Sequence, residues 1–257
     1  MTDSEKRVVI VVLIIMAIHL ICGVGVWKYS AQHGAGNVWS RTVLQPSDST
    51  RHQSSKKTQQ TVAQRFGVTA QDWRLVVVNR NHMMSEMNPQ LMVLNDRCSV
   101  DSRIADQLSQ FLAAAQAVNS KAHLISCYRS VEYQEQLFAS YVNDELVTHP
   151  GWSREQAQVQ VETYSQPAGA SEHQTGLAVD LCTEDDMNVQ DPSIARAIQE
   201  LAPRYGFILR FPQNKEETTG VHYEDWHFRY VGVEMAQYIT NKGWSLEEFV
   251  SRFNEPV

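Results

Sequence analysis

The sequence predicts an α+β fold: a single compact domain over residues 68–257, with a small, mainly antiparallel sheet flanked by helices, preceded by one N-terminal transmembrane helix. Three observations lead there. Helical and strand-like hydrophobic patterns are interspersed along the chain, and several connections are too short or irregular for repeated parallel crossovers. Val8 to Trp27 is a 20-residue stretch without Asp, Glu, Lys or Arg. Between that stretch and the first periodic segment the composition turns to Ser, Gln, Thr, His and Gly.

At a rise of about 1.5 Å per residue, residues 8–27 would span roughly 30 Å, the thickness of a bilayer's hydrocarbon core. A secretory signal peptide is the competing reading. Its apolar region usually runs to about 7–15 residues, and no clear small-x-small cleavage site follows here, although cleavage near Lys28 to Ala31 stays open. A buried core helix would show a polar face, and this stretch has none. Residues 1–28 therefore read as a cytoplasmic stub and membrane anchor. Lys6, Arg7 and the amino terminus precede the span, against Lys28 and Arg41 after it, which favours the C-terminal bulk on the extracellular side of a cell membrane. Residues 29–67 read as a flexible spacer, because a run such as Gln45 to Gln60 buries too little apolar surface to offset its ordering entropy.

In the body, the apolar, β-branched run Leu75 to Val78 predicts a buried strand. Asp101 to Val118 puts Ile104, Leu108, Phe111, Leu112 and Ala115 on one helical face. His123 to Cys127 reads as a strand running into Tyr128, Arg129 and Ser130, and helices follow over 131–142 and 153–165. The second of these opens on a capping-box pair, Ser153 and Gln156. Leu177 to Leu181 reads as a strand, Pro192 to Leu201 as a helix, and Phe207 to Phe211 and Trp226 to Val231 as strands. Short helices over 233–241 and 245–253 close the chain.

Charge narrows the function. The chain of 257 residues carries net −7; residues 1–57 hold seven Lys/Arg against three Asp/Glu, so residues 58–257 carry −11. An acidic body has little electrostatic reason to seek nucleic acid, whose affinity rests on phosphate neutralisation.

The residues with chemistry to offer lie in two short segments. Ser171 to Asp180 reads SEHQTGLAVD, and 44 residues after Asp180 comes EDWH, Glu224 to His227. His173, Asp180 and His227 supply two imidazoles and a carboxylate, the three protein ligands that a catalytic zinc site needs beside an open position. Glu224 supplies a base for water. Each has an ordinary alternative, since a lone His or Asp is usually a hydrogen-bonded structural or surface residue. The spacing is neither HExxH nor CxxC, and spacing alone leaves the metal reading open.

The motifs themselves resemble those of the VanY/LdcB-type zinc carboxypeptidases, which trim peptidoglycan stem peptides. SxHxxGxAxD stands as Ser171, His173, Gly176, Ala178 and Asp180; ExWH as Glu224, Trp226 and His227; YRSxxxQ as Tyr128, Arg129, Ser130 and Gln134. Val77, Asn79 and His82, and the segment with Gly206, Phe207 and Arg210, extend the likeness over roughly residues 72–240. The resemblance implies that His173, Asp180 and His227 bind Zn2+ and that Glu224 is the general base which passes its proton to the leaving amine. It makes Arg129 the group for the oxyanion or for a substrate carboxylate, which a guanidinium can bind through both oxygens. Ser171 and Gln134 would position the substrate or the ligands. Arg129 as a structural ion pair, and ordinary structural roles for Ser171 and Gln134, stay open. Trp226 reads as packing beneath the ligands, and Gly176 as a residue permitting a tight entry to the strand. His82, His123 and His222 read as ordinary histidines.

The expected substrate is a peptidoglycan stem peptide, cut most simply at D-Ala-D-Ala. Removal of D-Ala from a tetrapeptide at an L,D bond is the alternative. A thiol mechanism is a second enzyme hypothesis: of four cysteines, Cys22 lies in the apolar span, and Cys127 and Cys182 each stand two residues from a motif residue. Cys98, Cys127 and Cys182 leave at least one unpaired within the chain. A non-catalytic wall-peptide binder is a third hypothesis, although such a domain would be expected to have lost the base or a ligand.

Overall fold

The computed structural model of the protein describes residues 60–186 and 188–256. The expected membrane span and most of the expected spacer lie outside these residues, and among the described residues no helix is long and apolar enough to cross a membrane. The fold starts earlier than the composition suggested. Helix α1 (Val62–Phe66) carries a reciprocal capping box between Thr61 and Gln64, and Val62 is buried with Met235 and Phe249. Residues 61–67 therefore belong to the folded body and not to the spacer.

Residues 75–78 are not the expected strand. Trp73–Leu75 is a 3-10 turn capped by Asp72, and the carbonyls of Arg74 and Val76 accept from the Arg229 guanidinium at 3.0 and 2.8 Å. Leu75 and Val78 are buried, so the apolar signal reported burial, while a side chain satisfies the backbone that a strand partner would have used. A hairpin that the hydrophobic pattern did not reveal follows, β1 (Leu91–Asn95) paired antiparallel with β2 (Cys98–Asp101). Strand β1 is largely exposed, which removes the period-2 alternation that marks a half-buried strand.

The remaining elements follow the hydrophobic periodicity. Helix α2 (Ala105–Val118) buries Leu108, Phe111 and Ala115, and β3 is His123–Ser126. Helix α3 (Val131–Thr148), capped by Ser130, continues beyond residue 142. Helix α4 (Arg154–Val161) starts at the expected Ser153/Gln156 box. Then come β4 (Ala178–Cys182), α5 (Pro192–Leu201), β5 (Phe207–Leu209) and α6 (Glu216–Thr219). Strand β6 (His227–Tyr230), α7 (Val233–Lys242) and α8 (Leu246–Ser251) complete the chain.

The main sheet runs β3-β4-β6-β5, with every neighbouring pair antiparallel. Its alternation decides where the chemistry lies. Val179 and Leu181 of β4, with Phe228 and Tyr230 of β6, enter the core built on α2, where Phe111 stacks on Phe207 at 5.2 Å. Asp180, His227 and Arg229 consequently point to the other face. Asp180 and His227 are direct cross-strand partners, so two residues 47 positions apart in sequence become neighbours through strand register alone.

Candidate metal centre and its cleft

His173 reaches the same place from a different element. It sits in the 3-10 turn Glu172–Thr175, which Gly176 ends at φ 69°. A Cβ on Gly176 would meet the Asp101 backbone nitrogen at 2.8 Å, so position 176 demands glycine for conformation and for room. Behind the turn, His173 Nδ1 lies 2.6 Å from the Cys127 carbonyl, and the Arg129 N–H donates to the His173 carbonyl. That acceptor holds the proton on Nδ1 and leaves the Nε2 lone pair facing the site.

The three groups converge. His173 Nε2 lies 3.3 Å from Asp180 Oδ2, and His227 Nδ1 lies 3.1 Å from Asp180 Oδ1. One donor atom from each residue falls within 4.8 Å of the others, and all three residues are buried. His173 Nε2 and Asp180 Oδ1 have no hydrogen-bond partner in the protein. Buried donors left unsatisfied and aimed at one point fit a metal ion, and two imidazoles with one carboxylate suit zinc.

Glu224 completes the cluster, with Oε2 3.5 Å from His227 Nδ1. Burial pushes its carboxyl up to about 8, reinforced by the charge of Asp180 and opposed by His227. At Asp180 burial acts in the same direction, but the two imidazoles outweigh it and hold the carboxyl far below the usual range. Burial and the nearby Arg129 both lower His173. At His227 burial also disfavours the charge, but the neighbouring carboxylates of Asp180, Glu172 and Glu224 prevail and raise the group to about 9. A bound dication would reinforce the lowered Asp180 and His173 and oppose the raised Glu224 and His227, favouring neutral imidazoles and ionised carboxylates throughout.

The cluster lies in the wall of a cleft of about 600 Å³, lined also by Arg129, Ser171, Tyr141, Tyr164, Phe211 and Trp226. Arg129 Nε is buried without a hydrogen-bond partner, and among the described residues no carboxylate forms an ion pair with it. Ser171 lines the cleft, and its hydroxyl does not cap the turn that it precedes. Gln134 is placed differently from its expected substrate-positioning role. It is buried behind the wall, where its amide donates to the Gln166 carbonyl at 2.6 Å and fixes the lining segment Ser165–Gln166. Trp226 is buried, as expected, but it also contributes to the cleft surface. His82, His123 and His222 stay outside the cleft lining.

The cysteines settle into other work. Cys98 and Cys127 form a disulfide between β2 and the residue after β3, and Cys182 is a buried free thiol. The bond leaves Cys127 no thiolate to offer. Burial raises the Cys182 thiol, which donates to the Glu184 carbonyl and does not line the cleft. No cysteine nucleophile faces the cleft among the described residues.

Glu172 was not among the expected site residues. Its carboxylate lies under the cluster, bonded to Arg210 and Arg229, with Oε2 3.8 Å from His227 Nε2. Its only signal in the sequence is a charge inside a segment that proves wholly buried. Tyr141 and Tyr164 on the cleft wall were also missed, because nothing in helical periodicity separates a cleft-facing tyrosine from a core one.

Comparison with known proteins adds the family. The family model described as VanY, D-alanyl-D-alanine carboxypeptidase, matches residues 97–233, a span containing all four clustered residues. The chain belongs to the VanY family. A D-alanyl-D-alanine carboxypeptidase of Enterococcus faecalis is 36% identical over 182 residues, covering 70% of this chain and 67% of that protein. Among solved structures, a vancomycin-resistance D,D-pentapeptidase VanY mutant in complex with Zn(II) matches with TM-score 0.63 at 35% identity, covering 70% of this chain and 99% of that one. An L,D-carboxypeptidase, DacB from Streptococcus pneumonia, matches with TM-score 0.56 at 30% identity, covering 69% and 86%.

Proposed function

We propose that this VanY family member is a zinc D,D-carboxypeptidase that removes the C-terminal D-alanine from peptidoglycan stem peptides. The observation that carries the reading is the convergence of His173, Asp180 and His227 beside Glu224, in a cleft that also presents the unpaired guanidinium of Arg129. His173, Asp180 and His227 would hold the metal. Zinc, when bound, supplies a Lewis acid and a water made acidic enough to react at neutral pH.

The protein's own groups do the rest. Glu224 takes a proton from the attacking water as its oxygen bonds to the scissile carbonyl carbon. It returns that proton to the nitrogen of the departing D-alanine as the C–N bond breaks. Arg129 binds the terminal carboxylate through both oxygens, or the charge that develops on the carbonyl oxygen. Ser171 offers its hydroxyl to the bound peptide. Gln134 supports this indirectly by holding Ser165–Gln166 in the cleft wall.

The apolar span 8–27, of membrane-crossing length, supports a single-pass anchor with the catalytic domain outside the cell. The Cys98–Cys127 disulfide suits an oxidising compartment. The second reading, L,D-carboxypeptidase activity on tetrapeptides, is favoured by the likeness to DacB. Quantifying D-alanine released from defined pentapeptide and tetrapeptide stems by the zinc-loaded protein separates the two. Release from the pentapeptide alone is expected; release from the tetrapeptide alone would move the activity to the L,D bond.

A further inference from the structure

We infer that Glu172 is a positioning residue for the metal centre: its Oε2 accepts the Nε2–H of His227, fixing that ring in the tautomer that offers Nδ1 to the metal. The inference rests on the zinc reading above.

The two oxygens of Glu172 are treated differently by the fold. Oε1 accepts from Arg210 Nε and Arg229 Nη1, both at 2.8 Å. Those cations have other partners as well. Arg210 bonds Glu247 through two nitrogens, at 3.0 and 2.5 Å, and Arg229 donates to the carbonyls of Arg74, Val76 and Tyr230. An ordinary buried ion pair is thus complete at Oε1. It does not explain Oε2, which is buried, has no hydrogen-bond partner, and lies 3.8 Å from His227 Nε2. That nitrogen is itself buried and without a partner.

Two unsatisfied buried atoms, one acceptor and one potential donor, therefore face each other just beyond hydrogen-bond length. The opposite edge of the same ring faces Asp180 at 3.1 Å and Glu224 at 3.5 Å. A neutral imidazole that ligates through Nδ1 must carry its proton on Nε2. Glu172 Oε2 is the acceptor in line for that proton, as the Cys127 carbonyl is for Nδ1 of His173. The two metal-binding histidines are thus oriented from behind by unlike groups, a carboxylate and a neutral carbonyl. The carboxylate is the stronger acceptor and makes its histidine the more electron-rich ligand.

Glu172→Gln tests this in the full chain, with zinc affinity measured by competition with a chromophoric chelator and histidine tautomers by 15N–1H NMR. In zinc-loaded wild type, His227 should carry a slowly exchanging proton on Nε2. In the variant, zinc should bind about 10–100-fold more weakly, and that proton should shift and exchange faster, while the His173 Nδ1 proton stays in place. Zinc affinity within about twofold of wild type, with the His227 signal unmoved, overturns the assignment. So does a wild-type His227 that binds metal through Nε2. If Glu172→Gln does not fold, the double variant Glu172→Met with Arg229→Met removes the acid together with one cation and is read in the same way. A wild-type chain that binds no zinc overturns both this inference and the zinc reading, whereas normal zinc binding by the Glu172 variants overturns this inference alone.

Discussion

His173 and His227 are identical side chains given different electronic settings by their surroundings. One ring is backed by a backbone carbonyl and pushed toward neutrality by burial and Arg129; the other stands among Asp180, Glu224 and Glu172. Removing either imidazole would take away one of the three proposed ligands. His173→Ala should lose both zinc, measured by metal analysis after gel filtration, and turnover. Retention of stoichiometric zinc by a folded His173→Ala would move the metal elsewhere. Arg129→Lys keeps the charge but forfeits the two-pronged grip, so kcat/KM should fall about tenfold or more; an unchanged value would leave Arg129 without a substrate role. These residues were legible because their side-chain types are scarce and their order follows a known motif. Glu172 was not, since its part depends on Arg210, Arg229 and His227 meeting in space. Gln134 was legible as a residue but not as a position, because a motif does not say which side of a wall its side chain occupies.

At the scale of elements, the site is assembled from a strand pair, a glycine-terminated turn and a disulfide-tethered segment. The strands of the main sheet were readable as short apolar runs, and the start of α4 from Ser153 followed by Gln156. The β1–β2 hairpin was not, since an exposed strand carries no core-facing pattern. Leu75 to Val78 looked like a strand because burial and β-branching are shared by strands and by extended chain that a guanidinium satisfies. Gly176→Ala should cost at least about 2 kcal/mol, from strain at positive φ and from the approach to Asp101. A chemical-denaturation midpoint equal to wild type would show that the turn can relax. The disulfide closes a loop with a sequence separation of 29, for which chain entropy predicts about 3–4 kcal/mol. The Cys98→Ser, Cys127→Ser double variant should show that loss together with weaker zinc binding, because the Cys127 carbonyl orients His173. Undiminished zinc affinity in that variant would separate the bond from the site.

For the molecule as a whole, pH and metal are the two external levers. Hydrogen bonds from Arg74 hold Asp72 below the ordinary carboxylate range; at Asp101 burial works the other way, but Arg103 outweighs it. Because folding lowers both values, their stabilisation is full above the unfolded carboxylate value of about 3.9 and is lost as pH falls toward and through the folded values. The contribution of these two acids to the urea midpoint should therefore hold level from neutral pH down to about 5 and drop below about 4. The drop should be shallower in an Asp72→Asn, Asp101→Asn double variant, and an equal slope would remove these two acids from the account. Zinc acts through mass action. At a thousand times its dissociation constant it should add about 4 kcal/mol, roughly 10 °C in Tm, and a chelator should reverse the gain. The α+β class, the acidic body and the order of motifs were visible in the sequence at this scale. The start of the folded body was not, because Val62 and Phe66 are too few to register against a polar background until Phe249 is known to cover them.

The most direct test of the central claim compares wild type with Glu224→Gln on one pentapeptide muropeptide, by mass spectrometry of the products and zinc analysis of the same samples. The account predicts one zinc per chain in both proteins, loss of a single D-alanine with wild type, and intact substrate with the variant. Cleavage by both proteins, or by neither with zinc bound, would contradict it.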